Sequence, residues 1–280
     1  MNPETPQPVA SANASNGASG SIDFTAVVVV YNEADRLAQA LDTIRFCREF
    51  IVVDLGSTDA SLDIARRYDA RILTHERPPY PNLPRQHGIR HASHGWIVTI
   101  DPDEDFPTHE LPKIEALIRS TPDLAGVRLP WQFYFRGRPL TTTHWGNPNN
   151  KKMTIVHRDR IRTTPYVHQE YELGAGVHTF KRGQIDPVKH YWMRSWAECL
   201  DKHRRYAGRE GEKRYHAGRR FTWPGMAAGL AEAAWRDLVK FRAVTSPTGL
   251  MLTGFHQWYE AKSWLNLRQF QRTQRPGDGA

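Results

Sequence analysis

Trp96-Ile-Val-Thr-Ile-Asp101-Pro-Asp103-Glu104-Asp105 decides how this chain is read. A run of strand character passes straight into four carboxylates within five positions. Like charges at that density repel, so some must take up protons unless a cation lies among them. Hard carboxylate oxygens suit Mg²⁺ or Mn²⁺. The C-terminal ends of strands in open α/β sheets are also where ligands settle. The stretch therefore reads as a metal-assisted site for a phosphorylated ligand.

The segments upstream supply the sheet this strand needs. Residues 25–30 form a β-branched run suited to a strand buried on both faces. Residues 32–44 read as a helix with Leu37, Leu41 and Ile44 on one face. Residues 50–54 are a second strand, and a turn at 56–59 opens a helix with Ser57 or Thr58 as its N-cap. A third strand at 70–74, a helix at 83–94 and the strand at 95–100 complete the alternation. That order predicts an α/β fold, a Rossmann-like, doubly wound, mostly parallel sheet with right-handed crossovers. Further on, residues 110–119 read as a helix and residues 125–129 and 132–135 as two strands. From Trp196 the pattern is helical, with aromatic residues set among Arg and Lys.

Three units are expected: a disordered Pro/Ala/Ser/Asn/Gly-rich tail over 1–21, a catalytic-type α/β domain over 22–192, and a basic, aromatic helical extension over 193–280. Of the 38 Lys and Arg, 19 fall in residues 181–280 against only 9 acidic residues, so the net charge of +8 is concentrated there. Such a field suits an anionic membrane surface, an anionic substrate or nucleic acid. Two cysteines are too few for a disulfide framework, which favours a reducing compartment. No apolar run reaches membrane-spanning length, and the first residues lack the basic start and apolar core of a signal peptide.

Four clusters fall at or beside the C-terminal ends of these strands: Tyr31-Asn32-Glu33, Asp54 with Gly56-Ser57-Thr58-Asp59, Arg85, and Asp101/Asp103/Glu104. In a parallel sheet they converge on one rim. Each has a plainer reading: Asp54 as a cap for the next helix, Glu33 as a first-turn acid, Arg85 as a surface charge, the acidic run as a solvated turn.

In their order and spacing, Val-Val-Val-Tyr-Asn-Glu, Val-Val-Asp-Leu-Gly-Ser-Thr-Asp and Gly-Trp-Ile-Val-Thr-Ile-Asp-Pro-Asp-Glu resemble the family 2 glycosyltransferases of GT-A fold, over roughly residues 22–135. Within that family the chain is most similar to lipopolysaccharide core glucosyltransferases. Val167-His168-Gln169-Glu170 resembles their Val-His-Glu element, and His190 precedes a Lys202-His-Arg-Arg-Tyr206 helix segment like theirs. Two departures stand out: Pro102 inside Asp-x-Asp and Gln169 inside the His-Glu pair.

The resemblance implies roles. Tyr31 and Asp54 hold the nucleobase, Glu33 lies near the ribose, and Arg85 approaches base or diphosphate. Asp101 faces the ribose, Asp103 is the principal metal ligand, and His190 is a further ligand or phosphate contact. Glu170 is the general base, with Glu172 and Asp159 as rivals. The activity implied is inverting transfer of a hexose, glucose first, from a UDP-sugar with Mg²⁺ or Mn²⁺. The acceptor would be a cell-surface glycolipid of lipopolysaccharide-core type at the cytoplasmic face of the inner membrane. The helical extension would touch lipid peripherally through residues such as Trp223, Trp235 and the 249–259 segment; the plainer alternative is that its aromatics pack onto the catalytic domain. Transfer to a polyprenyl-phosphate carrier or capsule precursor is an alternative. So, from another class, is a non-catalytic nucleotide-sugar or nucleic-acid binding module, although no nucleic-acid module signature is visible and no nucleic-acid partner is expected.

Overall fold

A computed structural model of the chain describes residues 21–77, 82–162, 172–173 and 176–274. Residues 1–20 of the expected tail and Glu170 lie outside them. Four strands, β1 (Phe24–Val30), β2 (Glu49–Asp54), β3 (Arg71–Thr74) and β4 (Trp96–Ile100), alternate with α1 (Leu37–Thr43), α2 (Ser61–Arg67) and α3 (Asn82–Arg90). They pair in parallel in the order β3-β2-β1-β4. After them come β5 (Glu104–Asp105), α4 (Leu111–Ser120), β6 (Leu124–Phe135), β7 (Arg138–Pro139), β8 (Lys151–His157), β9 (Ile161–Arg162), β10 (Glu172–Leu173), β11 (Gly176–Thr179) and β12 (Val188–Met193). The sheet continues β4-β8-β6-β12-β5, with β7 and β11 also joined to β6.

Strand alternation fills both faces. Val28, Val30, Val52, Val98 and Ile100 pack with Leu37, Leu41, Ile64 and Ile114 from α1, α2 and α4. Val27, Ile51, Val53 and Ile97 face α3 through Ile89. Gly88 is what lets α3 sit so close: a Cβ there would lie 2.5 Å from Val27 Cγ1.

β8 runs antiparallel to both β4 and β6, so β1, β2, β4, β6 and β12 all point their C-terminal ends to one rim. The N-terminal end of β8, with Lys151 and Lys152, reaches the same rim. Its other end does not: His157 sits beside Trp96, at the start of β4. Asp159 follows His157 and so lies at the opposite edge, paired with Arg158, which removes it as a rival base.

Several local expectations are corrected. α1 starts at Leu37 rather than near residue 32. The N–H groups of Asn32, Glu33 and Ala34 go across to Ser57 Oγ (3.0 Å), Ser61 Oγ (2.9 Å) and Asp59 Oδ2 (3.0 Å), which ties this loop to the next one. Asn32 itself turns left-handed, with φ of 55°. Neither Ser57 nor Thr58 caps α2, which begins only at Ser61 after Ala60 without a side-chain cap; both are engaged with Asn32 instead. The two strands read at 125–135 are one, β6, because its first half pairs with β8 and its second half with β12. α3 ends at Arg90 instead of residue 94.

The helical extension holds α5 (Trp196–His216), α6 (Trp223–Trp235), a π-helical turn at Arg236–Lys240, and α7 (Pro247–Thr273). Phe133, Phe135, Trp192 and Met193 at the sheet end pack with Cys199 of α5 and Leu252 and Phe255 of α7. Phe255 and Trp264 are buried, whereas Trp223 and Trp235 are 58% and 57% exposed. Both cysteines are free and buried, and burial pushes the Cys199 thiol up to about 12, so they act as packing residues. Among the described residues no helix is long and apolar enough to cross a membrane.

Candidate active site

The rim gathers the residues that the sequence scatters. Val30 pairs with Asp54 and Val28 with Ile100, so Tyr31, Asp54 and Asp101 leave neighbouring strands at one edge. The Tyr31 ring is covered by the Arg77 guanidinium, 3.7 Å from its centroid. Asp54 is buried and closes the next turn: Oδ1 accepts from Ser57 N–H at 2.9 Å and Oδ2 from Gly56 N–H at 3.2 Å. It closes this turn rather than capping α2, which starts only at Ser61, and each oxygen keeps a further lone pair for a ligand. Gly56 takes φ of 88°, a conformation costly for other residues.

The acidic run is neutralised largely by protein cations. Arg85 donates to Asp101 Oδ1 at 2.6 Å, and Lys152 donates to Asp101 Oδ2 at 2.9 Å and to Glu104. Glu104 also accepts from Asp101 N–H and Trp131 Nε1–H, both at 2.8 Å, so this fully buried carboxylate is satisfied on every side. Burial acts to raise the Asp101 carboxyl, but Lys152 and Arg85 outweigh it and hold it well below the ordinary range. Burial likewise works against the Lys152 ammonium, and Asp101 and Glu104 more than compensate, keeping it charged. The expectation that a divalent ion must relieve the whole run is therefore corrected. Lys152, Arg85 and Trp131 do so for Asp101 and Glu104.

Asp103 is what remains. It is buried, with Oδ1 3.4 Å from His190 Nδ1 and Oδ2 3.6 Å from Arg36 Nη1. Burial raises its carboxyl, and His190 and then Lys202 override it and lower it. Its carbonyl accepts from Tyr191 N–H at 2.7 Å, which ties it to β12. His190 is buried between Trp131 and Phe133, and its Nδ1 has no hydrogen-bond partner. An orphaned imidazole nitrogen facing a carboxylate is a donor pair that fits a divalent ion, whose other positions phosphate oxygens and water can fill. Arg36 links Asp103 to Glu33 (3.7 Å) and to Glu198 at the start of α5. Burial raises the Glu33 carboxyl despite Arg36.

Tyr31, Glu33, Asp54, Arg85, Asp101, Asp103 and His190 are thus brought to one edge by the strands. Glu170 lies outside the described residues, and Glu172 is described only as part of β10. Lys152, Arg36, Trp131 and Glu198 were not foreseen. Lys152 starts a strand whose antiparallel run no local pattern announces, and Arg36 resembles any surface arginine of a first helical turn.

The model of the family described as Glycosyl transferase family 2 matches residues 25–171. Over 204 residues the chain is 21% identical to the lipopolysaccharide core biosynthesis glycosyltransferase LpsC of Rhizobium meliloti, covering 71% of this chain and 74% of that one. It is 29% identical over 140 residues to an uncharacterized glycosyltransferase of Mycobacterium tuberculosis, 50% of this chain, and spans 59% of that relative's length. Among solved structures, the mannosyltransferase PcManGT of Pyrobaculum calidifontis, in complex with GDP-Man and Mn²⁺, is similar at a TM-score of 0.52 and 15% identity, covering 92% of this chain and 89% of its own. That likeness bears on the fold, which is the GT-A arrangement expected from the sequence.

Proposed function

This chain belongs to glycosyl transferase family 2, and from that premise we propose that it moves a hexose, glucose first, from a UDP-sugar with inversion onto a phosphorylated cell-surface glycolipid of lipopolysaccharide-core type. The observation that carries the reading is the buried His190 Nδ1, which makes no hydrogen bond yet faces Asp103 at 3.4 Å, on the rim where Tyr31, Asp54 and Asp101 converge. LpsC, a relative by sequence, supports the acceptor class, and the metal and nucleotide sugar in the PcManGT complex support the donor chemistry.

Tyr31 stacks on the base and Asp54 accepts a base N–H with its remaining lone pairs. Asp101, fixed by Arg85 and Lys152, presents a charged carboxylate to the ribose without needing to reorganise. Asp103 and His190 would hold Mg²⁺ or Mn²⁺, which would supply positive charge to offset that of the UDP leaving group. Glu170 takes the proton of the acceptor hydroxyl as it attacks the anomeric carbon from the side opposite UDP. The exposed Trp223 and Trp235, among the cationic helices, meet the bilayer at its cytoplasmic face.

Titration with UDP, with and without Mn²⁺, tests the core of this. Metal-dependent binding that Asp103→Ala lowers by at least tenfold supports it. Equal binding with and without metal, or salt-sensitive binding of oligonucleotides in place of UDP, overturns it. Glu170→Gln then separates the acceptors: a hydroxyl acceptor loses about 10²–10⁴-fold in turnover, whereas a phosphate acceptor needs no base.

A further inference from the structure

A cavity of about 650 Å³ opens at the C-terminal end of β6, beside the rim already described. Phe135, Leu140, Trp196 and Met251 give it apolar walls, Arg136 and Arg138 give it charge, and the first turn of α7 closes one side. Both arginines are exposed, and among the described residues no carboxylate pairs with either. Arg136 and Gly137 form the two-residue loop of a hairpin, with φ of 51° and 75°, and Arg138 begins its return strand. Gly, Asn or Asp would be the easy choice at both positions, so an arginine here is held against its backbone preference. Its N–H donates to Met193 O at 2.9 Å, which anchors the hairpin to β12.

That anchor sets the distance to the proposed metal pair. Tyr191 of β12 holds Asp103 and Met193 of the same strand holds Arg136. Two strand residues advance at most about 7 Å, and the bulge in β12 between His190 and Met193 shortens this. Trp196, in the cavity wall, and Glu198, on Arg36 beside Asp103, share the first turn of α5. An acceptor that meets a donor held at Asp103 and His190 thus has atoms within reach of the cavity.

We propose that this cavity is an anion subsite for the acceptor, taking a phosphate ester. Arg136 and Arg138 grip the phosphate oxygens, and Phe135, Trp196 and Met251 pack the apolar or sugar part beside them. Guanidinium groups match phosphate oxygens in pairs and carry weak hydration shells, which suits a half-open apolar hollow. The subsite rests on the glycosyl-transfer reading above for its purpose, not for its existence.

The test keeps the two apart. UDP and Mg²⁺ first saturate the donor rim, and calorimetry then follows titration with inorganic phosphate, with dihexanoyl phosphatidate and with dihexanoyl phosphatidylcholine. The full chain should bind the phosphatidate, and R136G/R138Q should bind it at least tenfold more weakly while its UDP affinity stays the same. R138Q alone, which leaves the hairpin backbone untouched, should give an intermediate loss. Preference for phosphatidate over inorganic phosphate marks an ester with an apolar neighbour as the ligand; equal affinity for both, lost in the variants, marks the bare phosphate group. Equal binding by wild type and variants, no binding of either phosphate compound, or phosphatidylcholine binding as well as phosphatidate overturns the subsite. Failure of UDP to bind sinks the donor reading alone, since loss of phosphate binding in the variants is read separately.

Discussion

Among the described residues, two buried charge clusters are built to opposite ends. In the helical extension Asp237 is wholly buried and its carboxylate is used up. Oδ1 accepts from the His144 N–H and Nδ1–H, each at 3.2 Å, and Oδ2 accepts from His256 Nδ1–H at 2.6 Å. At the sheet rim Glu104 and Asp101 are paired as thoroughly, yet Asp103 meets only the looser approaches of His190 and Arg36 and leaves a buried imidazole nitrogen without a hydrogen bond. Although His144, Asp237 and His256 are grouped closely enough to hold an ion, their donor hydrogens are already spent on one another. Closed networks rigidify a fold, and a network left open at a cleft points to a ligand.

The largest expected effect breaks that contrast at the open end. Asp103→Asn should lower glycosyl transfer by roughly 10³-fold while the melting temperature moves little, because the amide still fills the space but cannot charge-balance a divalent ion. Asp237→Asn should do the reverse, with turnover per folded molecule unchanged and the melting point lowered. Equal effects of the two changes on turnover would erase the distinction between open and closed clusters.

Lys152→Met should come next, now in stability. It leaves the buried Glu104 carboxylate without its cation and Asp101 with Arg85 alone, at a cost of about 4 kcal/mol. Thermal unfolding should show this as a fall of roughly 10 °C. Lys152→Met with Glu104→Leu, which removes charge from both sides, should recover much of it. A smaller loss, about 3 kcal/mol, is expected for Asp237→Ala, which leaves the His144 N–H and two imidazole donors unpaired in the interior. Chemical denaturation of single and double variants measures both.

How far the chain announces this arrangement differs between its halves. Val27 through Val30 and Ile51 through Val53 are continuous apolar runs, and Thr99 alone interrupts Ile97 through Ile100, so β1, β2 and β4, their parallel pairing and the rim after them could be read directly. Tyr31, Asp54, Asp101 and Asp103 followed, because each sits immediately past a legible strand. β8, β11 and β12 were missed. Lys151–His157 and Val188–Met193 mix Lys, His and Thr into short runs whose antiparallel or parallel sense depends on distant partners. Lys152 was invisible with them, and so was the fact that the acidic run carries its own counter-charges. In the extension the interleaving of aromatics with Arg and Lys reads equally as packing or as a lipid-facing surface. Phe255 and Trp264 go inward while Trp223 and Trp235 stay out, a division set by the α5–α7 contact rather than by composition.

The smallest effect sharpens the comparison through pH. His203 of α5 is buried against Trp192, Phe255 and Tyr259, and its Nδ1–H donates to Cys199 O at 2.8 Å. Burial pushes its pKa down to about 4, so the folded protein keeps it neutral where the unfolded chain takes up a proton. Burial pulls His144 in the same direction. A depressed histidine stabilises the fold fully above its unfolded value near 6.5, and this stabilisation is lost as pH falls from there toward the folded value. For His203 alone the loss is about 2 kcal/mol between pH 8 and pH 5. Asp237, held well below the ordinary carboxylate range because His144 and His256 override its burial, stays ionised throughout and adds no slope in that window. His203→Gln should therefore flatten the stability profile between pH 5 and 7 without altering metal-dependent UDP affinity at pH 8. An unchanged slope in that variant would show that the extension's acid sensitivity arises elsewhere, and a changed UDP affinity would show that the closed and open clusters are coupled through α5.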